Sequence, residues 1–285
     1  MRVLVTGASG KLGRVVVAHL AERGYDVVAT DRTPPPPELP GKFVTADLTN
    51  FGEVVELLAG VDETGPVDAV AHLSAIPAPG RHPNAATFQN NVPSTYNVFR
   101  AAQVTGIRNV VWASSETVLG LPFDVPPPYA PVDEQYTVLP QSTYSLGKAV
   151  EEEMARHFTR WDPQLKLIGL RFSNVMRPED YAGFSDFQAD PSVRRWNLWG
   201  YIDARDGAQA VRLALESDLT GFEPFIIAAE DTVMVTPSAE LLAAAYPDVP
   251  RSREVTGRET LLSIDKARRL LGYAPEHRWQ HHVGP

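Results

Sequence analysis

The sequence predicts an α/β protein with a Rossmann-type doubly wound parallel sheet and a small C-terminal substrate lobe. Three observations carry the prediction. Short apolar runs alternate with amphipathic ones from residue 2 onward, the first run ends in a glycine turn, and the second ends in an acid. The first strand is Arg2 to Thr6. It leads through Gly7, Gly10 and Gly13 into a helix with apolar positions at Leu12, Val15, Val16 and Leu20, which stops near Gly24. Further strands follow at Asp26 to Thr30, Lys42 to Thr45, Val67 to Leu73, Asn109 to Ala113 and Lys166 to Arg171. Helices are expected over Asn50 to Ala59, Ala85 to Thr105, Ser142 to Trp161 and Ala204 to Glu216. Right-handed crossovers then give a parallel sheet covered on both faces. Residues 1–172 form the dinucleotide-binding part, with 200–235 returning to it, and 173–199 and 236–285 form the smaller lobe. The proline clusters Pro34 to Pro37 and Pro126 to Pro128 fall between elements. The second lies in the long segment from Gly120 to Gln141, which reads as a rigid surface excursion or a lid.

At 285 residues, with 44% hydrophobic and 21% charged, the chain has a real core to bury, and its composition is that of an ordinary globule. No apolar stretch is long enough to span a bilayer, so no membrane partner is expected. The chain enters its first strand directly after Met1-Arg2, with no room for a signal sequence, so a cytoplasmic location is expected. A formal net charge of −9 argues against nucleic acid as a partner. With no cysteine there is no disulfide, thiolate metal site or cysteine nucleophile, and redox chemistry has to come from a cofactor. His277, His281 and His282 lack the spacing and carboxylates of a metal site and read as a solvated tail, so no metal is expected.

The glycine turn is a dinucleotide cradle by its chemistry. A pyrophosphate needs backbone N–H donors at close range and the positive end of a helix dipole, and residues without Cβ allow that approach. Asp31, at the end of the second strand, sits where the adenosine ribose hydroxyls belong. It favours NAD by repelling a 2′-phosphate, while the neighbouring Arg32 leaves NADP open. Tyr144 and Lys148 lie four apart on one helix face. A phenol is a poor base at neutral pH, but an adjacent ammonium and a bound cationic nicotinamide both favour phenolate. Ser114 and Ser115, at the end of the fifth strand, supply a hydroxyl for a substrate oxygen.

Taken in order, Thr6 to Gly13, Asp47-Leu48, Asn90-Asn91-Val92, Ser114 to Gly120, Tyr144 to Lys148, Leu170 to Asn174 and Tyr201 to Asp206 resemble the extended short-chain dehydrogenase/reductase superfamily, in particular its NAD-dependent epimerase/dehydratase family. The resemblance implies catalysis by Ser115, Tyr144 and Lys148. It implies cofactor contacts from Gly7, Ser9, Gly10, Lys11, Leu12, Gly13, Asp31, Arg32, Asp47, Leu48, Leu73, Ser74, Ala75, Asn91, Ala113, Tyr144 and Lys148. It further implies a homodimer through the helix bearing the Tyr/Lys pair, and a structural role for Arg205 and Asp206 in tying the late helix to the sheet.

Only 26 residues separate Asn174 from Tyr201, where family members that grip a nucleotide diphosphate sugar carry a longer insertion. The expected activity is therefore NAD(P)-dependent hydride transfer at a hydroxyl or carbonyl of a small sugar, sugar acid or similar polar substrate, a shape similar to uronate dehydrogenases. The substrate residues expected are Ser74, Ile76, Ser115, Glu116, Thr117, Asn174 and Arg177, with Arg177 offsetting the charge of Glu116. The alternatives are a nucleotide-sugar epimerase or dehydratase with tightly bound NAD, and a non-catalytic dinucleotide sensor. Trp196 and Trp199 read as packing for the small lobe or as a wall of the site. Glu151-Glu152-Glu153, with Arg156 four beyond Glu152, reads as an exposed helix face.

Overall fold

A computed structural model describes residues 1–35, 37–62 and 64–282; Pro36 of the first proline cluster lies outside the described residues. Its centre is a seven-stranded, all-parallel sheet in the order β3-β2-β1-β4-β5-β6-β9. The strands are β1 (Arg2–Thr6), β2 (Asp26–Asp31), β3 (Lys42–Thr45), β4 (Ala69–His72), β5 (Asn109–Ser115), β6 (Lys166–Phe172) and β9 (Gly221–Ile227). Strand order reverses between β1 and β4, and in open α/β sheets the crevice beyond the carboxyl ends at such a point takes the ligand.

The inner strands β1, β4, β5 and β6 are largely buried on both faces, as a parallel sheet sandwiched between helices requires, while the edge strand β3 is only partly covered. Val3 and Val5 join one apolar core while Leu4 between them joins the other. On one face α1 (Gly13–Glu22) packs against α6 (Ala204–Glu216); on the other lie α2 (Phe51–Ala59), α3 (Asn84–Thr105) and α4 (Thr143–Trp161). Asn50 caps α2 through Gly52 N, Ser142 and Ser145 form a reciprocal box at the start of α4, and Asp203 caps α6 through Arg205 N.

Strand β9 has no strand expectation in the sequence because it begins with glycine and carries Pro224. The fold accommodates that proline by making β9 the outermost strand, where a missing N–H costs no ladder bond on the open side. Beyond the sheet, β7 (Val175–Met176) pairs with β8 (Ile202–Asp203), and α5 (Phe184–Ala189), α7 (Ser238–Ala245) and α8 (Asp265–Leu271) complete the chain.

The Gly120–Gln141 segment is pinned along its length. Phe123 N bonds Trp196 O, Ala130 N bonds Pro250 O and Val132 N bonds Leu261 O, with Leu121, Phe123, Ala130 and Val132 buried. That arrangement fits the rigid excursion and not the lid. Among the described residues no helix is long and apolar enough to cross a membrane.

Candidate active site

The glycine cradle is as tight as its chemistry demands. Gly7 has φ +68°, and a Cβ there would meet Ser74 N at 2.7 Å; a Cβ on Gly13 would lie 2.0 Å from Gly7 O. No side chain caps the N-terminus of α1, which starts at Gly13 on the cleft wall, where the positive end of a helix dipole favours an anion. The Thr6 hydroxyl accepts from Leu73 N at 3.1 Å and Ser74 N at 3.2 Å and so fixes the end of β4 against β1. Asp31 accepts from Ser9 N at 3.2 Å and Thr33 N at 3.1 Å. Arg32 turns away from it, donating to Asn90 Oδ1 at 2.9 Å and standing 3.9 Å from Asp47.

Two residues past its Ser142 cap, α4 presents Tyr144, and a turn later Lys148; both are buried, as is Ser115 at the end of β5. The Ser115 hydroxyl accepts from Thr117 N at 3.2 Å and from Thr117 Oγ1 at 2.9 Å. Burial raises the Tyr144 phenol above its ordinary value. Lys148 and a hydrogen bond from Ser115 pull it down, while Glu151 and Glu116 push it up. Behind this group His72 bridges Thr6 at 2.8 Å and Thr95 at 3.1 Å. Burial, with Lys148 nearby, pushes it down to about 3, so it is neutral at working pH.

The cradle, Asp31 and the Tyr144 group open into one cleft of about 1110 Å³. Of the residues expected to contact cofactor or substrate, Gly7, Gly10, Lys11, Leu12, Gly13, Asp31, Arg32, Leu73, Ser74, Ala75, Ile76, Ala113, Ser115, Glu116, Thr117, Tyr144, Lys148 and Asn174 line it. Asn91, Asp47, Leu48 and Ser9 do not line it. Asn91 holds Ile76 through both backbone groups at 2.8 and 3.0 Å, Asp47 accepts from Thr49, and Leu48 is buried with its carbonyl on Asn97. Ser9 donates its hydroxyl to Thr33 O.

Arg177 departs from expectation. It is not part of the cleft wall; its N–H donates to Asp180 and its guanidinium lies 3.7 Å from Glu179, so it does not offset Glu116. Glu116 instead spends its carboxylate on Ser173 Oγ at 2.5 Å and Asn197 Nδ2 at 3.2 Å. Burial, against those bonds and the nearby Arg194, pushes it up to about 7.

The far end of the cleft is aromatic, and Phe184 and Phe187 there carry no expectation from sequence, since a six-residue helix leaves too short a pattern to read. Trp196 lines that end, whereas Trp199 is buried and donates to Pro191 O at 2.7 Å. Arg205 binds Asp203 with two nitrogens. Asp206 accepts from Glu276 N and His277, and thereby ties α6 to the C-terminal segment rather than to the sheet. Among the described residues no cluster of three or more His, Cys, Asp or Glu is arranged for a metal ion.

The acidic triplet on α4 also overturns its expectation. Only Glu153 faces solvent, beside Arg156 and His157. Glu152 is 1% exposed, receives two bonds from Arg171 at 2.9 and 2.7 Å, and accepts from Ser114 Oγ at 2.7 Å. Glu151 is fully buried, 2.9 Å from Lys148 Nζ. The triplet follows Tyr144 and Lys148 at helical spacing, so the face that turns those two inward takes Glu151 and Glu152 with it.

A family model described as the NAD dependent epimerase/dehydratase family matches residues 3–228. The chain belongs to that family. A UDP-glucose 4-epimerase from rice (Oryza sativa subsp. japonica) is 29% identical over 218 residues, which is 70% of this chain and 50% of that protein. An NAD-dependent glucose-6-phosphate dehydrogenase from Haloferax volcanii is 26% identical over 190 residues, covering 63% of this chain and 71% of its own. A crystal structure of a UDP-galactose 4-epimerase superposes with a TM-score of 0.70 at 26% identity, over 97% of this chain and 94% of that one. The chain spans about half the length of the curated epimerases it matches.

Proposed function

We propose that this protein is an enzyme that binds NAD in the glycine cradle and uses it to oxidise a hydroxyl-bearing carbon of a sugar. One observation carries the reading: the buried Tyr144, with Lys148 one turn along the same face and the Ser115 hydroxyl against it, opens into the same cleft as a glycine turn that has no room for a Cβ. NAD, when bound, supplies the acceptor for the hydride leaving the carbon.

The chain's own groups move the proton. Ser115 orients the substrate oxygen, Tyr144 takes its proton, and the Lys148 ammonium stabilises the phenolate that does so. Asp31 holds the adenosine ribose hydroxyls. In the reverse step Tyr144 returns the proton to the carbonyl oxygen.

The relatives favour an epimerase form of this chemistry on a nucleotide sugar, with oxidation as a transient step, because several of the similar curated proteins are UDP-glucose 4-epimerases. Net oxidation of a small sugar is favoured by a different observation. The far end of the cleft is lined by the rings of Phe184, Phe187 and Trp196, and the nearby Arg194 stacks on Phe187 and Trp196 and donates to Gly200 O, so its charge is turned to those rings and that carbonyl.

One experiment separates them. The purified protein is incubated with UDP-glucose, UDP-galactose, glucose 6-phosphate or glucuronate, and both sugar products and NADH absorbance are followed. Interconversion of the UDP-sugars without NADH build-up is the expected result. Stoichiometric NADH from a small sugar, with the UDP-sugars inert, establishes the second reading, and neither outcome with any of the four overturns both.

A further inference from the structure

Lys148 and Lys166 are both buried lysines, 2% and 6% exposed, and they sit in opposite surroundings. Lys166 reaches only carbonyl oxygens, those of Ala214, Leu215 and Ser217 at 2.8 to 3.0 Å. Burial, with Asp218 pulling weakly back, pushes it down to about 8. Lys148 is the more deeply buried of the two, yet its ammonium stays above the ordinary lysine value. Burial works to lower it, and the Glu151 carboxylate, with help from Tyr144 and Glu152, outweighs burial.

The charged and titratable groups around Lys148 are few. Tyr144, Glu151 and Glu152 share its helix, His72 faces it from β4, and Glu116, from the turn after β5, acts on Tyr144. Glu152 is already satisfied by Arg171 and Ser114, and His72 is neutral. Glu151 is therefore the one carboxylate free to balance Lys148 among these groups. Burial pushes the Glu151 carboxyl above its ordinary value, and Lys148 is the strongest pull back down, with the Thr95 hydroxyl as its other partner.

We propose that Glu151, through the 2.9 Å contact of its carboxylate with Lys148 Nζ, is a positioning residue that keeps this buried lysine a cation at the place from which it acts on Tyr144. The proposal rests on the reading of Tyr144 and Lys148 given above. Glu151 also opposes the phenolate directly, but the pull of Lys148 on Tyr144 is the stronger of the two, so its loss with the cation outweighs the relief. Removing the carboxylate leaves an unbalanced buried ammonium, and the least costly response is to give up the proton.

The test is the titration of Lys148, read by NMR of lysine labelled with carbon-13 at Cε. The chain has only five lysines, and Lys148→Arg identifies the signal. In the unaltered protein Lys148 should remain charged above the ordinary lysine range. In Glu151→Gln its midpoint should fall by at least about two pH units, to the range of Lys166 or below. Glu151→Asp, whose carboxylate is drawn back by one methylene, should give a smaller fall in the same direction and decides the matter if Glu151→Gln does not fold. A folded variant in which Lys148 titrates as before overturns the proposal, since lost packing alone would lower stability and leave that midpoint in place. The titration needs no substrate. Full activity in Tyr144→Phe would sink the catalytic reading and leave this result standing.

Discussion

Lys11 and Asp180 meet across the mouth of the cleft, with Nζ 2.9 Å from Oδ2 and a second bond from Nζ to Val175 O at 3.2 Å. Lys11 belongs to the glycine turn and Asp180 to the 3-10 turn over Pro178–Gly183 that follows β7, so the contact straps two walls of the cleft together beside the cradle. Both side chains are partly exposed, which limits their worth to stability to below about 1 kcal/mol. Asp180→Asn should therefore leave the melting temperature nearly unchanged and speed the release of bound NADH several-fold, as followed by its fluorescence in a stopped-flow displacement. Unchanged release would mean that the strap does not restrain the cofactor.

Glu116 couples stability to pH. Its carboxyl has an ordinary value of 4.5 in the unfolded chain and about 7 in the fold, so the folded state holds the proton more tightly. Its contribution is complete below about pH 4.5 and is lost as pH rises through about 7, a change of up to about 3 kcal/mol. Denaturant unfolding of the unaltered protein should show stability falling over that window. Glu116→Gln, which cannot ionise, should flatten the fall. An identical slope in both proteins would assign it to other groups.

Much of the site was legible because its chemistry is local. The glycine turn, Asp31 and the Tyr144/Lys148 pair each lie within one turn or one helix face, and β1, β3 and α6 match their expected bounds residue for residue. What escaped depends on distant partners. Pro224 argues against a strand until the sheet makes β9 an edge. Three consecutive glutamates argue for a solvated face until Arg171 and Lys148 are known to stand opposite two of them, although the spacing from Lys148 through Glu151, Glu152 and Ala155 to Phe158 already traced one buried face. Arg177 had no local signal to say that it would turn toward Glu179.

Cofactor choice should follow Asp31. Its carboxylate is held in place by Ser9 N and Thr33 N, and a 2′-phosphate there would meet like charge. Titrations should give tighter binding of NAD than of NADP. Asp31→Ser should reduce that preference by about tenfold or more, since each 1.4 kcal/mol is a factor of ten. Equal affinity for the two cofactors in the unaltered protein would contradict the role.

On the proposed function Tyr144 moves the proton while its ring contributes only packing. The direct measurement is turnover by Tyr144→Phe on whichever sugar proves active, alongside its affinity for NAD. The account predicts a loss of about 10²-fold or more in kcat, the usual worth of a general base, with NAD affinity within a few-fold of the unaltered protein. Retention of more than about a tenth of the original turnover would contradict it.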